Sequence, residues 1–434
     1  SSVTMSLFSA VEMAPRDPIL GLNEAFNADS RTTKINLGVG VYYNEDGRIP
    51  LLKAVAEAEK ARLAASAPRG YLPIEGLASY DSAVQKLLFG ADSALLADGQ
   101  AIAMTPRVAG RTADFPVSTC EAIAPEGATD LSALKLVDRP KPAPAPGEVL
   151  IRVRAAGVNP LDWRIRSGSL RLLLPLKLPL IPGYDVSGEV AEVGEGVTQF
   201  QPGDEVFAFL DAIRGGAYAE FVGASPSVVA RKPANLSHEE AAAVPLAAST
   251  ALYALRDIAK IHSQSEVLIN GAAGGVGSFA VQLAKALGAC VTGVCGPENI
   301  DFVGQLGADR ALDYHKTDFT RQPEQYDLVF DAVSKSSYGK CRGVMKTHGH
   351  YVSTVPTPME YFHQGVTWLL GGRRSHTFLV RPRGADLRHL ATLIESGRLR
   401  PIVQRAYPLD EVAQAHEASQ AGHVRGKLVL RIGD

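Results

Sequence analysis

The stretch "NGAAGGVGS", residues 270–278, joins the apolar run "EVLI" at 266–269 to "FAVQLAKAL" at 279–287, whose apolar residues recur with helical spacing. A turn from a strand into a helix that receives a dinucleotide has three tasks: to be tight, to let backbone approach a pyrophosphate, and to let the helix pack close on the sheet. Glycine serves all three, and here Ala272, Gly274 and Gly277 form an AxGxxG version of the GxGxxG fingerprint, with Gly275 and Val276 between them. Glycine-rich turns are common, and the plain alternative is a structural turn; what favours cofactor binding is the context, a strand before, a helix after and a second strand, "CVTGV" at 290–294. The end of that second strand chooses between cofactors, because an acid there bonds a ribose 2′-hydroxyl and repels a 2′-phosphate. Cys295 and Gly296 stand at that point, which favours NADPH over NADH, although Glu298 is near and no Lys or Arg follows until Arg310.

Working outward, "EVLIN", "CVTGV", "RALDY", "YDLVFDAV", "GHYVSTV" and "HTFLV" alternate with helical patterns from residue 240 onward. Such alternation predicts an α/β fold with a doubly wound parallel sheet. The preceding text is different. After the Pro-rich "DRPKPAPAPGE" at 138–148, the run "VLIRVRAAGVN" sets Val149, Ile151 and Val153 on one face of a strand, and glycine-punctuated short strands follow. This predicts a β-rich, antiparallel or barrel-like domain. The closing "KLVLRI" reads as a strand returning to it. The expected organisation is a mainly helical fragment at 1–100, a linker at 101–117, a β-rich domain at 118–245, a dinucleotide domain at 246–385 and a C-terminal return at 386–434.

A formal charge of −2 over 434 residues gives no general attraction to nucleic acid. The most apolar stretch, 170–183, is broken by Pro175, Lys177, Pro179 and Pro182, so it predicts no membrane span. The N-terminal residues lack the pattern of a secretory leader, and the expected location is cytoplasmic. Cys120, Cys290, Cys295 and Cys341 have no disulfide or CxxC spacing, and all ten histidines lie at or beyond His238.

"AAGVNPLDWRIRSG", "IPGYDVSGEVAEVGEGV", "VPLAASTALYALRD", "INGAAGGVGSFAVQLAKALGA" and "GHVRGKLVL", in this order, resemble the zinc-free quinone oxidoreductase branch of the medium-chain dehydrogenases/reductases over about 119–434. The resemblance implies a GroES-like catalytic domain joined to a Rossmann domain, a cofactor cleft between them, and a homodimer. Zinc-dependent relatives carry a metal-binding Cys where this chain has Asn159 and a His where it has Tyr184, so no metal site is expected; a catalytic zinc needs about three converging ligands. Without that Lewis acid, alcohol oxidation is disfavoured, and reduction of an electron-poor acceptor, a quinone or an α,β-unsaturated carbonyl, is the expected activity. By resemblance Asn159, Asp162 and Tyr184 line the acceptor side, with Tyr184 favoured to hydrogen-bond the acceptor oxygen. Thr250 is expected near the nicotinamide, Tyr314 and Asn299 near the 2′-phosphate, and Lys427 reaching the cofactor from the C-terminal segment. Core packing for Tyr184, a turn or cap for Asp162 and a solvated strand edge for Lys427 are the plain alternatives.

Residues 17–59 and 70–92, "DPILGLNEAFNADSRTTKINLGVGVYYNEDGRIPLLKAVAEAE" and "GYLPIEGLASYDSAVQKLLFGAD", resemble the start of an aspartate/aromatic aminotransferase. There the resemblance implies a substrate loop at Gly40 and a phosphate contact at Tyr71. The motifs carrying the Schiff-base lysine are missing, so no functional pyridoxal phosphate site is expected. Two further readings stay open at this point: a cofactor-binding structural or regulatory protein with little turnover, and a two-function transaminase and reductase.

Overall fold

The computed structural model describes residues 118–123, 134–167, 180–211, 215–323 and 325–433. The chain divides into two units, and the described residues all belong to the second, Asp114–Asp434. The expected helical fragment at 1–100, the linker, Gly40 and Tyr71 lie outside the described residues, as does most of the apolar stretch 170–183.

Strands β1 (Ser118–Ile123) and β2 (Lys135–Pro140) form an antiparallel pair. A larger sheet follows, built from β3 (Val149–Val158), β4 (Asp185–Val193), β5 (Glu205–Phe209), β6 (Phe221–Ala224) and β7 (Val229–Arg231). Alternation predicts one buried face for β3, but Leu150 is as buried as Val149 and Ile151, because β3 is covered on both sides. Helices α1 (Pro160–Arg166), α2 (His238–Ala242) and α3 (Pro245–Leu252) flank this region.

The second sheet has six strands: β8 (Glu266–Asn270), β9 (Cys290–Cys295), β10 (Arg310–Asp313), β11 (Tyr326–Asp331), β12 (Met345–Ser353) and β13 (Arg374–Thr377). The first five fall on the expected runs, whereas β13 takes only His376 and Thr377 of the expected "HTFLV" and starts earlier, in polar sequence. They run parallel in the order β10-β9-β8-β11-β12-β13, the doubly wound Rossmann arrangement. Val267, Leu268 and Ile269 are all fully buried, as expected for a parallel strand with both faces covered. Helix α4 (Gly275–Ala286) starts four residues before the run of helical periodicity at 279–287. Its first turn, Gly275-Val276-Gly277-Ser278, is too rich in glycine to carry a pattern. Helix α5 (Pro358–Leu370) precedes β13.

Strands β14 (Val403–Pro408) and β15 (Lys427–Arg431), separated by α6 (Val412–Ala421), rejoin the first sheet, with β15 antiparallel to β3. Register then does the positioning. Leu428 faces Val158 and Gly157 faces Asp185, so the end of β3, the start of β4 and the start of β15 meet at one corner. Gly157 is required there, since a Cβ would lie 2.5 Å from the Ala242 carbonyl oxygen and 2.8 Å from the Asp185 carboxylate. Among the described residues no helix is long and apolar enough to cross a membrane.

On α6, His416 is fully buried with its ring edge-on to Tyr218 at 5.7 Å, and neither ring nitrogen has a partner. Burial, helped by the Arg166 charge, pushes its imidazole down to about 3 from 6.5. A histidine whose folded value is depressed destabilises the fold as pH drops below its unfolded value. Between about pH 7 and pH 5 this group alone should remove roughly 2 kcal/mol. Asp162, raised by burial to about 7, acts oppositely over the same range, so the readout is a difference. His416→Leu is expected to be less acid-labile than the unsubstituted chain by roughly that amount in denaturant unfolding at the two pH values. Parallel pH profiles would contradict the assignment.

Candidate active site

A cleft of about 1200 Å³ runs along the carboxyl ends of the Rossmann strands and reaches the corner of the first sheet. Asn159, Thr250, Gly274, Val276, Asn299 and Tyr314 line it, as expected of them. The turn has the form that receives a pyrophosphate. Gly274 caps α4 in extended conformation, and the Ser278 amide closes the first turn on the Gly274 carbonyl at 2.8 Å, leaving the amides before it without helical partners. Ala272, Gly275 and Gly277 do not line the cleft; they shape it from behind. A Cβ on Gly277 would lie 2.0 Å from the Gly271 carbonyl oxygen, and one on Gly275 would lie 3.0 Å from the Lys427 side chain. The Gly426 amide bonds the Ala273 carbonyl at 2.8 Å, tying the C-terminal segment to the turn.

At the corner, a buried polar network surrounds Asn159, which is only 2% exposed. The Lys427 ammonium donates to the Asn159 side-chain oxygen and to the Val158 carbonyl at 3.2 Å, and lies 3.5 Å from the Asp185 carboxylate. Asn159 Nδ2 donates to Asp185 at 2.9 Å, and the Leu246 amide donates to the other Asp185 oxygen at 2.7 Å. Burial raises the Asp185 carboxyl above its ordinary range, against the pull of Lys427. Every Asp185 partner is nonetheless a donor, so the pocket solvates a carboxylate and offers a proton nothing to point at. The partners also fix the Asn159 amide: oxygen toward the ammonium, nitrogen toward the carboxylate. Asn159 Nδ2 donates to Asp185 with one of its two hydrogens, and Asn159 lines the cleft.

Asp162 is fully buried and does not line the cleft. It accepts from the Asn159 amide at 2.6 Å and from the Tyr218 hydroxyl at 2.8 Å, and so holds Asn159 in place. Tyr184, expected at the acceptor oxygen, is also away from the lining; it is 1% exposed and packs into the core with Phe207 and Phe209. Of the three residues expected on the acceptor side, Asn159 alone lines the cleft. Lys427 is no solvated edge residue either, being 3% exposed. Thr250 spends its hydroxyl hydrogen on the Leu246 carbonyl at 2.7 Å, which leaves it an acceptor toward the cleft.

A profile for the alcohol dehydrogenase GroES-like domain matches residues 145–234, and one for zinc-binding dehydrogenases matches 306–430. The chain is 35% identical over 309 residues to the chloroplastic quinone-oxidoreductase QR1 of Triphysaria versicolor, covering 69% of this chain and 94% of that protein. The chain belongs to the quinone oxidoreductase group of the medium-chain dehydrogenase/reductase family. The mitochondrial NAD(P)H oxidoreductase RTN4IP1 of Mus musculus is 34% identical over 325 residues, covering 66% of this chain and 82% of that protein. Among solved structures, the quinone oxidoreductase from Coxiella burnetii superposes with a TM-score of 0.67 at 35% identity, over 73% of this chain and all of that one. The N-terminal part matches a different family: an aminotransferase class I and II profile matches 32–106, and 98 residues are 79% identical to the aspartate aminotransferase of Pseudomonas aeruginosa. The chain spans only a quarter of that aminotransferase.

Read forward from the second strand, the sequence of this quinone oxidoreductase-type chain offers no Lys or Arg before Arg310. A cation from the C-terminal segment nonetheless adjoins Asn299. Arg425 donates to the Asn299 side-chain oxygen at 2.9 Å and the Glu298 carbonyl at 3.1 Å, and its guanidinium sits 5.1 Å from the Phe302 ring centre. Opposing it, the Glu298 carboxylate folds back over Gly296, where a Cβ would meet it at 2.6 Å. Tyr218 and Asp185 are likewise residues that sequence reading passes over. Among the described residues no three His, Cys, Asp or Glu side chains converge as metal ligands.

Proposed function

We propose that this oxidoreductase reduces quinones or α,β-unsaturated carbonyls with NADPH and needs no zinc. The observation that carries the reading is the Lys427 ammonium held against Asp185 and against Asn159, which lines the cleft. Bound NADPH supplies a hydride; the chain's own residues do the rest. The α4 amides and the turn hold the cofactor phosphates, and Thr250 borders the same cleft. Asn159 aims its second Nδ2 hydrogen at the acceptor oxygen, where negative charge grows as the acceptor is reduced. Lys427 polarises that amide and fixes a positive charge beside it, so the donor strengthens as charge develops. Asp162, through the Asn159 backbone amide, keeps the group in place.

Two arms test this with the full chain and a chelator present: oxidation of NADPH by benzoquinone and by an enone. Turnover of either supports the reading; NADPH binding with no oxidation across both acceptors favours a binding protein instead. The NADPH preference rests on Arg425 and Tyr314 outweighing Glu298. Arg425→Ala is expected to raise the KM for NADPH about tenfold or more, as loss of a charge-assisted contact does, with little change for NADH. Glu298→Gln should shift selectivity the other way. Equal effects on both cofactors would overturn the preference. We further propose a homodimer through the edge of β13, unpaired among the described residues, and the neighbouring α5 face, where Phe362, Trp368, Leu369 and Leu370 are each more than 60% exposed. Transamination is not part of the proposal, since Schiff-base chemistry needs a lysine the short fragment does not bring.

A further inference from the structure

A second cavity, of about 430 Å³, opens away from the cleft beside β12 and β13. The parallel register sets His350 opposite Arg374 and Val352 opposite His376. Because strand side chains repeat every second residue, His348 and His350 share a face with Arg374 and His376. All four line the cavity, together with Lys260 and the backbone of Gly372. Among the described residues no carboxylate lines it. Asp327, the acid that acts on His350, is engaged elsewhere, with Lys346 at 2.7 Å and the Glu266 amide at 2.8 Å. Lys260 is held at a φ of 50°, a conformation that non-glycine residues enter rarely. The two imidazoles stack, with ring centres 5.1 Å apart and His350 Nδ1 3.0 Å from His376 Nε2, so one neutral ring donates to the other. Two fixed cations, Lys260 and Arg374, and three histidines that can take up a proton surround one small cavity lined by no acid, a set that one multivalent anion would satisfy together.

We propose that this cavity binds a compact phosphoryl polyanion, and that binding takes up a proton on the His350 and His376 pair. Burial first, then Arg374, holds the His350 imidazole below its ordinary value, and burial, then His350 and Arg374, pushes His376 down to about 4. An anion between them reverses the electrostatic part, so it binds more tightly as pH falls, up to about tenfold per pH unit for one proton.

The test is calorimetric titration of inorganic pyrophosphate into the full chain at about pH 6 and about pH 8, in buffers of different ionisation enthalpy. Expected are affinity at least tenfold tighter at the lower pH, about one proton taken up per anion, and a loss of about tenfold or more in Arg374→Ala. His376→Gln should retain binding but lose most of the pH dependence. Arg425→Ala, at the rim of the cofactor cleft, should change neither. Binding insensitive to Arg374→Ala, binding lost in Arg425→Ala, or wild-type affinity equal at both pH values would each overturn the proposal. None of these outcomes depends on the reductase activity.

Discussion

Gly277→Val is expected to abolish NADPH binding and to lower the stability of the second unit, while Gly274→Ala should leave the fold intact. The difference is geometric. A Cβ on Gly274 meets the Gly271 carbonyl oxygen at an ordinary 3.4 Å, whereas on Gly277 it would lie 2.0 Å from the same atom and 2.9 Å from Ala272 Cα. Those atoms are backbone and have no rotamer through which to escape. Relief requires α4 to move outward from β8, carrying with it the amides that face the cofactor phosphates. Loss of that alignment should weaken NADPH by more than about 100-fold, roughly 2.7 kcal/mol, and overpacking should add a stability loss of about 1–3 kcal/mol. Fluorescence titration with NADPH and denaturant unfolding measure the two effects. Near-wild-type affinity in Gly277→Val would mean that the turn is structural only.

Lys427→Met should be almost as damaging, through charge instead of shape. Asp185 is fully buried and Lys427 is 3% exposed, so removing the ammonium strands a carboxylate in the interior. Breaking such a pair typically removes about 3–5 kcal/mol of stability. Loss of the cation beside Asn159 should also lower kcat by roughly 10²–10³-fold, the scale for losing a donor to a developing oxyanion. The double variant Lys427→Met/Asp185→Asn separates the two. With neither charge present, the Asn159 amide is free to flip and accept from the new side-chain amide, which restores stability. The same flip turns Nδ2 away from its present direction, so activity should stay low. Recovery of both stability and rate would show that the network is structural and not part of catalysis.

Most of the Rossmann sheet is legible because its strands carry short apolar runs between turn residues, and the glycine turn announces the start of α4; the polar β13, Arg374–Thr377, is the exception. The site was harder to read for one physical reason: its polar groups come from strands that adjoin only after folding. Asn159, Asp185 and Lys427 are joined by the register of β15 on β3 and β3 on β4, which no local pattern encodes. Arg425 is hidden from sequence reading in the same way, since it lies 126 residues from Asn299. Tyr184 stands where zinc-dependent relatives have a ligand, yet an aromatic ring has enough apolar area to be drawn into the core with Phe207 and Phe209. Asn159, small and polar, was left facing the cleft.

The most direct test of the central claim is the fate of hydrogen from NADPH. With cofactor deuterated at the transferred position of the nicotinamide C4, the full chain, a chelator and a simple enone, the account predicts deuterium on the β-carbon of the saturated product, at a rate that falls steeply in Lys427→Met. Product whose β-hydrogen comes from solvent, or turnover that stops on chelation and returns with zinc, would contradict it.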